Sequence, residues 1–150
     1  MTGFTVSSPN FCLGRWNQPQ WPDCHTATDP VTRRWYESHD IALFAWSSQA
    51  SGFFTGRYSR DDDTNPDAAE VVREWFNEEN FTRLDRAREL ARRHGIESTQ
   101  IALAYVTSQR FNSFALIGPH SVDELTSSLQ AADLKLTPDE CTYLNLGTPS

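Results

Sequence analysis

Ile41-Ala-Leu-Phe-Ala-Trp46, running into Ser47-Ser-Gln-Ala-Ser-Gly-Phe-Phe-Thr-Gly56, is the stretch on which the fold turns. The apolar run is bounded by His39-Asp40 and Ser47-Ser48. A run of that length predicts a strand buried on both faces, as in a parallel sheet covered by helices. Upstream, Phe4-Thr-Val-Ser-Ser8 is β-prone and ends at Pro9; downstream, Phe114-Ala-Leu-Ile117 ends at Gly118-Pro119. Each predicts a further strand.

Helical patterns separate the three. Asp29 before Pro30 is a capping side chain followed by a proline at the first helical position, with Val31, Trp35 and Tyr36 as an apolar stripe. Phe81, Leu84, Ala87, Leu90 and Ala91 recur at helical spacing, Glu89 can pair with Arg93, and Gly95 stops the helix. Ser98 is expected to cap the next helix, through Ile101, Ala102, Tyr105 and Val106. Ser121-Val-Asp-Glu124 and Thr137-Pro-Asp-Glu140 read as capping boxes, the first opening a helix with Val122, Leu125 and Leu129 on one face, the second one with Leu144 inside and Gly147 at its end. The stretches 15–28 and 57–67 have neither period and are expected to be loops, the second polar and solvated.

The order strand, helix, strand, paired helices, strand, helix, helix gives an α/β fold with a parallel sheet and crossover helices. Three strands are few for a closed sheet, and they leave two edges with unpaired backbone groups. The architecture is incomplete for either a doubly wound sheet or a barrel, and residues 1–150 are one domain long.

Composition excludes several partners. A net charge of -7 argues against nucleic acid, which needs clustered Lys and Arg. No apolar run approaches the length of a membrane span, and no basic region precedes an apolar run at the start of the chain. Cys12, Cys24 and Cys141 are odd in number and lack a C-x-x-C pair, which predicts free thiols in the cytoplasm and no metal site. Twelve arginines stand beside a single lysine, Lys135, so lysine chemistry has one candidate.

In α/β folds ligands bind beyond the carboxyl ends of strands. After the second strand, Trp46 supplies an aromatic face, then small hydroxyl residues, then glycines that admit close backbone approach. After the third, Gly118-Pro-His-Ser121 leads into a helix N-terminus, where backbone N–H groups and the helix dipole favour an anion such as phosphate. Singly, Trp46 reads as a core tryptophan, Ser121 as a cap and Glu124 as the cap's partner; the coincidence of two such loops at neighbouring strand ends is what favours a site.

Four segments carry a family resemblance: 44–56, Gln100-Ile-Ala-Leu-Ala-Tyr105, Ile117-Gly-Pro-His-Ser-Val-Asp-Glu-Leu125 and Ala132-Asp-Leu-Lys-Leu-Thr-Pro138. In order and spacing they resemble the carboxy-terminal portion of an aldo/keto reductase, whose barrel holds an extended nicotinamide dinucleotide on its last three strands. The resemblance implies an α/β fold that is a partial TIM-type (β/α)8 barrel, the three strands here being the last three parallel strands of eight with their helices, and it implies NADP or NAD as the cofactor. It places Ser8 toward the nicotinamide carboxamide and Trp46 against the nicotinamide ring. Ser47, Ser48, Gln49, Ala50 and Ser51 fall on the pyrophosphate loop, and Gly118, His120, Ser121, Glu124, Ser127 and Ser128 on the adenosine end.

Where the family often has Arg or Lys this chain has His120, and where it often has Asn it has Ser128. A histidine is mostly neutral near pH 7 and Glu124 would repel a 2′-phosphate, so residue chemistry leans to NAD and the resemblance to NADP. The family's Asp, Tyr, Lys and His catalytic group lies on earlier strands, so no catalytic residue is assigned here and whether this chain alone is an enzyme stays open. The expected function is that of a fragment or truncated form whose parent reduces aldehydes or ketones with NAD(P)H by hydride transfer, the carbonyl substrate being bound only by a complete barrel. The alternative is a non-catalytic nucleotide-binding, regulatory or interaction module that self-associates or docks through its open sheet edges.

Overall fold

The computed structural model describes residues 3–148. Its sheet has three strands, β1 (Val6–Ser7), β2 (Ala42–Ala45) and β3 (Ser113–Ala115), all parallel and in the order β1-β2-β3. Val6 pairs with Ala42 and Phe44 with Phe114, so these four side chains share one face of the sheet. The opposite face carries Leu43 and Ala45, buried in the core with Phe11, Leu13, Phe53, Phe54, Trp75, Leu84, Ile101 and Tyr105.

The expectation of a second strand buried on both faces is therefore half met. Leu43 and Ala45 are buried, but on the other side Phe44 only stacks with Phe114 at 5.1 Å, and Phe114, Val6 and Phe4 stand exposed. Helices cover one face alone, because three strands do not curl far enough to enclose the other.

Helix α1 (Pro30–Ser38) starts as its sequence predicts, with the Asp29 carboxylate accepting N–H groups from Val31 and Thr32, both at 2.9 Å. Of its expected stripe only Tyr36 is buried. The 57–67 loop is followed by a helix that no sequence pattern announced, α2 (Ala69–Trp75), seated by Val71, Trp75 and the fully buried Glu74. Glu74 is satisfied by Arg73 and by Gln20 Nε2, each at 2.7 Å. Helix α3 (Glu78–His94) closes at Gly95, whose φ of 69° is the left-handed conformation a glycine adopts without a Cβ clash.

Helix α4 (Ser98–Thr107) is capped one residue earlier than expected. Glu97 is its N-cap, its N–H bound by Gln100 Oε1 at 2.9 Å, while Ser98 donates instead to the Phe54 carbonyl at 2.7 Å. Helix α5 (Val122–Ala132) keeps Val122, Leu125 and Leu129 on one face, and that face is turned from the core: its buried residues are Ser128 and Ala131, and Val122 is 77 %, Leu125 38 % and Leu129 58 % exposed. Its apolar stripe faces solvent. Helix α6 (Pro138–Leu146) has the predicted capping box between Thr137 and Glu140, with Leu144 buried and Gly147 at its C-cap.

The stretch 15–28 has fixed ends. Asn10, buried, forms parallel bridges to Thr26 and to Trp46, receives the Ala27 N–H at 2.8 Å and donates its own N–H to His25. One buried asparagine thus ties the end of β1 to the return of the loop and to the end of β2.

Candidate functional site

Beyond the carboxyl ends of β2 and β3 the surface opens into a groove of about 750 Å³. Ser47, Ser48, Gln49 and Ser51 line it from the loop after β2, and Gly118, His120, Glu124, Ser127 and Ser128 from the turn after β3 and the first turns of α5. Two loops separated by more than sixty residues face one another because β2 and β3 are adjacent and parallel.

The first loop is strained. Ser47, Ala50 and Ser51 have φ of 47°, 51° and 52°, values that side-chain-bearing residues seldom adopt, and Gly52 follows at 79°. The run turns the chain into a short 3-10 segment, Ala50–Thr55, whose Phe53 and Phe54 are buried. Those two rings hold the loop, and Ser48 fastens it across the groove by donating to the Leu116 carbonyl at 2.7 Å. That hydroxyl is thereby committed to the fold.

At the other wall Ser121 is the N-cap of α5, its Oγ accepting the Glu124 N–H at 3.1 Å. The expected reciprocal bond is displaced by one residue: Glu124 Oε2 accepts the N–H of His120 at 2.7 Å. Ser128 is buried. Ser127 Oγ is buried without a hydrogen-bond partner, and buried hydroxyls of that kind are uncommon.

Four of the residues expected at the site are not among those lining the groove: Ser8, Trp46, Ala50 and Ser121. The Ser8 hydroxyl donates to the Phe44 carbonyl at 2.8 Å, and Ala50 is buried. Trp46 is packed between aromatic neighbours, with Trp21 stacked on it at 5.1 Å and Trp16 tilted against it at 5.5 Å.

The structure adds Arg57, the one guanidinium among the groove's lining residues, which stand beside the carboxylates of Glu70, Glu97, Asp123 and Glu124. Arg57 lies over the ring of Tyr58 at 5.0 Å and reaches back to Gly52. Sequence reasoning assigned it to a solvated loop; the available signal was its position directly after Gly56, at the end of the glycine-containing turn. Lys135 is remote from the groove, its Nζ on the Thr107 carbonyl at 3.3 Å.

For a dinucleotide the fit is good at the centre and poorer at one end. An arginine and a glycine with no Cβ to block approach suit a pyrophosphate, and the orphaned Ser127 hydroxyl adds a polar group at the opposite wall. Beside His120 the nearest acid, Glu124, is already engaged by backbone, and no fixed cation stands there among the lining residues. Among the described residues no group of His, Cys, Asp and Glu side chains could hold a metal ion, and no helix is long and apolar enough to cross a membrane.

Comparison with known proteins gives three kinds of match. A model of the aldo/keto reductase family matches residues 16–145. A Saccharomyces cerevisiae protein named as an aryl-alcohol dehydrogenase is 29 % identical over 115 residues, 73 % of this chain and 39 % of that protein. Among solved structures, a thermostable aldo-keto reductase in complex with the inhibitor epalrestat superposes with a TM-score of 0.62 at 16 % identity, over 93 % of this chain and 38 % of its own. An aldo/keto reductase from Klebsiella pneumoniae in complex with NADP and acetate gives 0.56 at 16 % identity, over 97 % and 40 %. At that identity the structural likeness speaks for the fold alone: three strands of a barrel. The 150 residues span about two fifths of the length of these matches.

Proposed function

The chain belongs to the aldo/keto reductase family, and from that premise we propose that residues 1–150 are the carboxy-terminal, cofactor-holding portion of a carbonyl reductase. The observation that carries this reading is the groove in which the strained Ser47–Gly52 loop and the Gly118–Ser128 segment face each other. A bound NADPH or NADH supplies a hydride to the carbon of an aldehyde or ketone. This chain's own residues bind and orient it. Arg57 and the N–H groups of the strained loop take the pyrophosphate, the Ser127 hydroxyl gains the partner it lacks, and His120 and Glu124 border the adenosine ribose. Trp46 offers its ring to the nicotinamide and Ser8 its hydroxyl to the carboxamide. Proton donation to the carbonyl oxygen is assigned to the family's Asp, Tyr, Lys and His group.

Titration with NADPH and with NADH, followed by quenching of tryptophan fluorescence and by circular dichroism of the same sample, tests the reading. Micromolar binding by the folded chain is expected; a folded chain that binds neither sinks it. The free thiols accord with a reducing compartment, the cytoplasm.

A second reading is favoured by the outward-facing stripe of Val122, Leu125 and Leu129 and by the exposed Phe4, Val6 and Phe114 on the open sheet face. The first three face solvent from α5 and the others stand on the uncovered face of the sheet, surfaces that the further β/α units of a complete barrel would cover. The chain would then act as an interaction module, docking such units or a second copy. Sedimentation of the pure chain distinguishes the two: a monomer at all micromolar concentrations counts against self-association.

A further inference from the structure

The tip of the long loop covers the tryptophan on which the nicotinamide is read to stack. Trp21 lies almost flat on Trp46, with ring centroids 5.1 Å apart and planes 16° from parallel. The other aromatic neighbour, Trp16, is tilted by 41° and leans in turn on the buried Trp75 at 6.3 Å, so it belongs to the core. Trp21 does not; it is 56 % exposed.

The loop is fastened on either side of this tip and scarcely within it. Before it, Asn17 Nδ2 donates to the Phe76 carbonyl at 2.8 Å and Gln20 to Glu74 at 2.7 Å. After it, His25 accepts from Asn10 and Ala27 donates to Asn10. Between them, the bond from Cys24 N to the Trp21 carbonyl at 3.4 Å only closes the turn, with Asp23 at a φ of 63°. What attaches the tip to the body is the ring stack.

We propose that Trp21 holds the face of Trp46 that a nicotinamide ring takes, and that the tip from Trp21 to Cys24 swings out as the cofactor enters. The inference rests on the cofactor reading above. Two flat rings cannot share one face of an indole at van der Waals separation, so occupancy is a competition between an intramolecular ring and an incoming one. Gln20 and His25 are the fixed points about which the tip moves, and the fraction of molecules with the tip open scales the apparent affinity. Oxidised nicotinamide is cationic and gains cation–π attraction on an indole, so NADP+ displaces Trp21 more readily than NADPH.

The test is a binding titration of the whole chain and its Trp21→Ala variant with NADP+ and with adenosine 2′,5′-bisphosphate, which has no nicotinamide. Trp21→Ala is expected to tighten NADP+ binding by about three- to ten-fold, the range of one aromatic stack, and to leave the bisphosphate unchanged. Trp21→Phe, which keeps a flat ring, should return NADP+ affinity toward that of the parent. NADP+ affinity that is unchanged or weaker in Trp21→Ala, with the bisphosphate unaffected, overturns the proposal and makes Trp21 a wall of the site. If neither ligand binds either protein, the cofactor reading fails and this inference goes with it. Circular dichroism melts of both variants check that an exposed ring has been removed without unfolding the chain.

Discussion

Nη2 of Arg57 lies 2.7 Å from the point where a Cβ on Gly52 would stand. The guanidinium reaches the strained loop because residue 52 has no side chain, and Gly52 itself sits at a φ of 79° that side-chain-bearing residues seldom take. Cation and loop thus depend on one glycine. Arg57→Gln should weaken NADPH binding by about ten-fold or more, since a hydrogen bond to a charged group contributes roughly 1.5–3 kcal/mol. It should also flatten the dependence of affinity on salt. Gly52→Ala should weaken binding as well, by pushing the guanidinium aside and straining the turn. Equal affinities for the parent and Arg57→Gln, by calorimetry at low salt, would remove the arginine from the site.

Helix α5 offers a contrast in stability. Leu129 is periodic with Val122 and Leu125, yet all three are exposed, whereas Leu144 of α6 is fully buried. Leu129→Gln should therefore shift stability by less than about 0.5 kcal/mol, and Leu144→Ala should cost roughly 2–5 kcal/mol through lost burial and a cavity. Urea midpoints of the two variants against the parent decide it. A large loss for Leu129→Gln would mean that the stripe is covered in solution, by a second copy for instance.

Where a residue's structural role is decided by its neighbours in the chain, the sequence was sufficient. The Asp29-Pro30 start, the Thr137 and Glu140 box and the Gly95 stop are local devices, and each stands where its residues put it. The second and third strands were legible as short apolar runs bounded by turn residues, and the first as a β-prone stretch that ends at Pro9. Helix α2 was not legible. It is seven residues long, follows an aspartate-rich loop and is held by a buried glutamate whose partner, Gln20, lies 54 positions away. The α5 stripe was legible as a face but not as an exposed one, because periodicity shows which residues share a face, not what lies opposite. At the groove, the two loops were legible from strand ends and small residues. Arg57 was not, since it matters through a contact with Gly52 that no spacing rule predicts.

Cys12 provides a probe of the core. Burial pushes its thiol up to about 12, and that of Cys141 to about 11. Thiolate is the reactive species, so both should resist alkylation at pH 8 while the chain stays folded. Cys12 is completely buried and should be labelled only on global unfolding, at a rate that follows the urea transition. Mass spectrometry after a pulse of iodoacetamide reads this directly. Rapid labelling of Cys12 in buffer would mean that the layer formed by Phe11, Cys12 and Leu13 opens locally.

Asp29 ties stability to pH with a defined sign. Its carboxyl is held below the ordinary carboxylate value, first by the Thr32 hydroxyl and then by the N–H groups of Thr32 and Val31. A folded value below the unfolded one means that ionised Asp29 stabilises the fold above about pH 4, the unfolded value, and that this contribution is lost as pH falls from there through the folded value. Asparagine caps a helix about as well but does not titrate in this range. The deficit of Asp29→Asn relative to the parent should therefore be smaller at pH 3 than at pH 6, where the charge contributes in full. Asp29→Ala should cost roughly 1 kcal/mol at pH 6, where the whole cap is lost. The helix it starts carries Tyr36, whose hydroxyl bonds Ser7 on β1, so losing the cap loosens the edge strand as well as the first turn. Urea titrations of the three proteins at both pH values give the comparison. A gap between parent and Asp29→Asn that is the same at pH 3 and pH 6 would show that the carboxylate's charge contributes nothing beyond its hydrogen bonds.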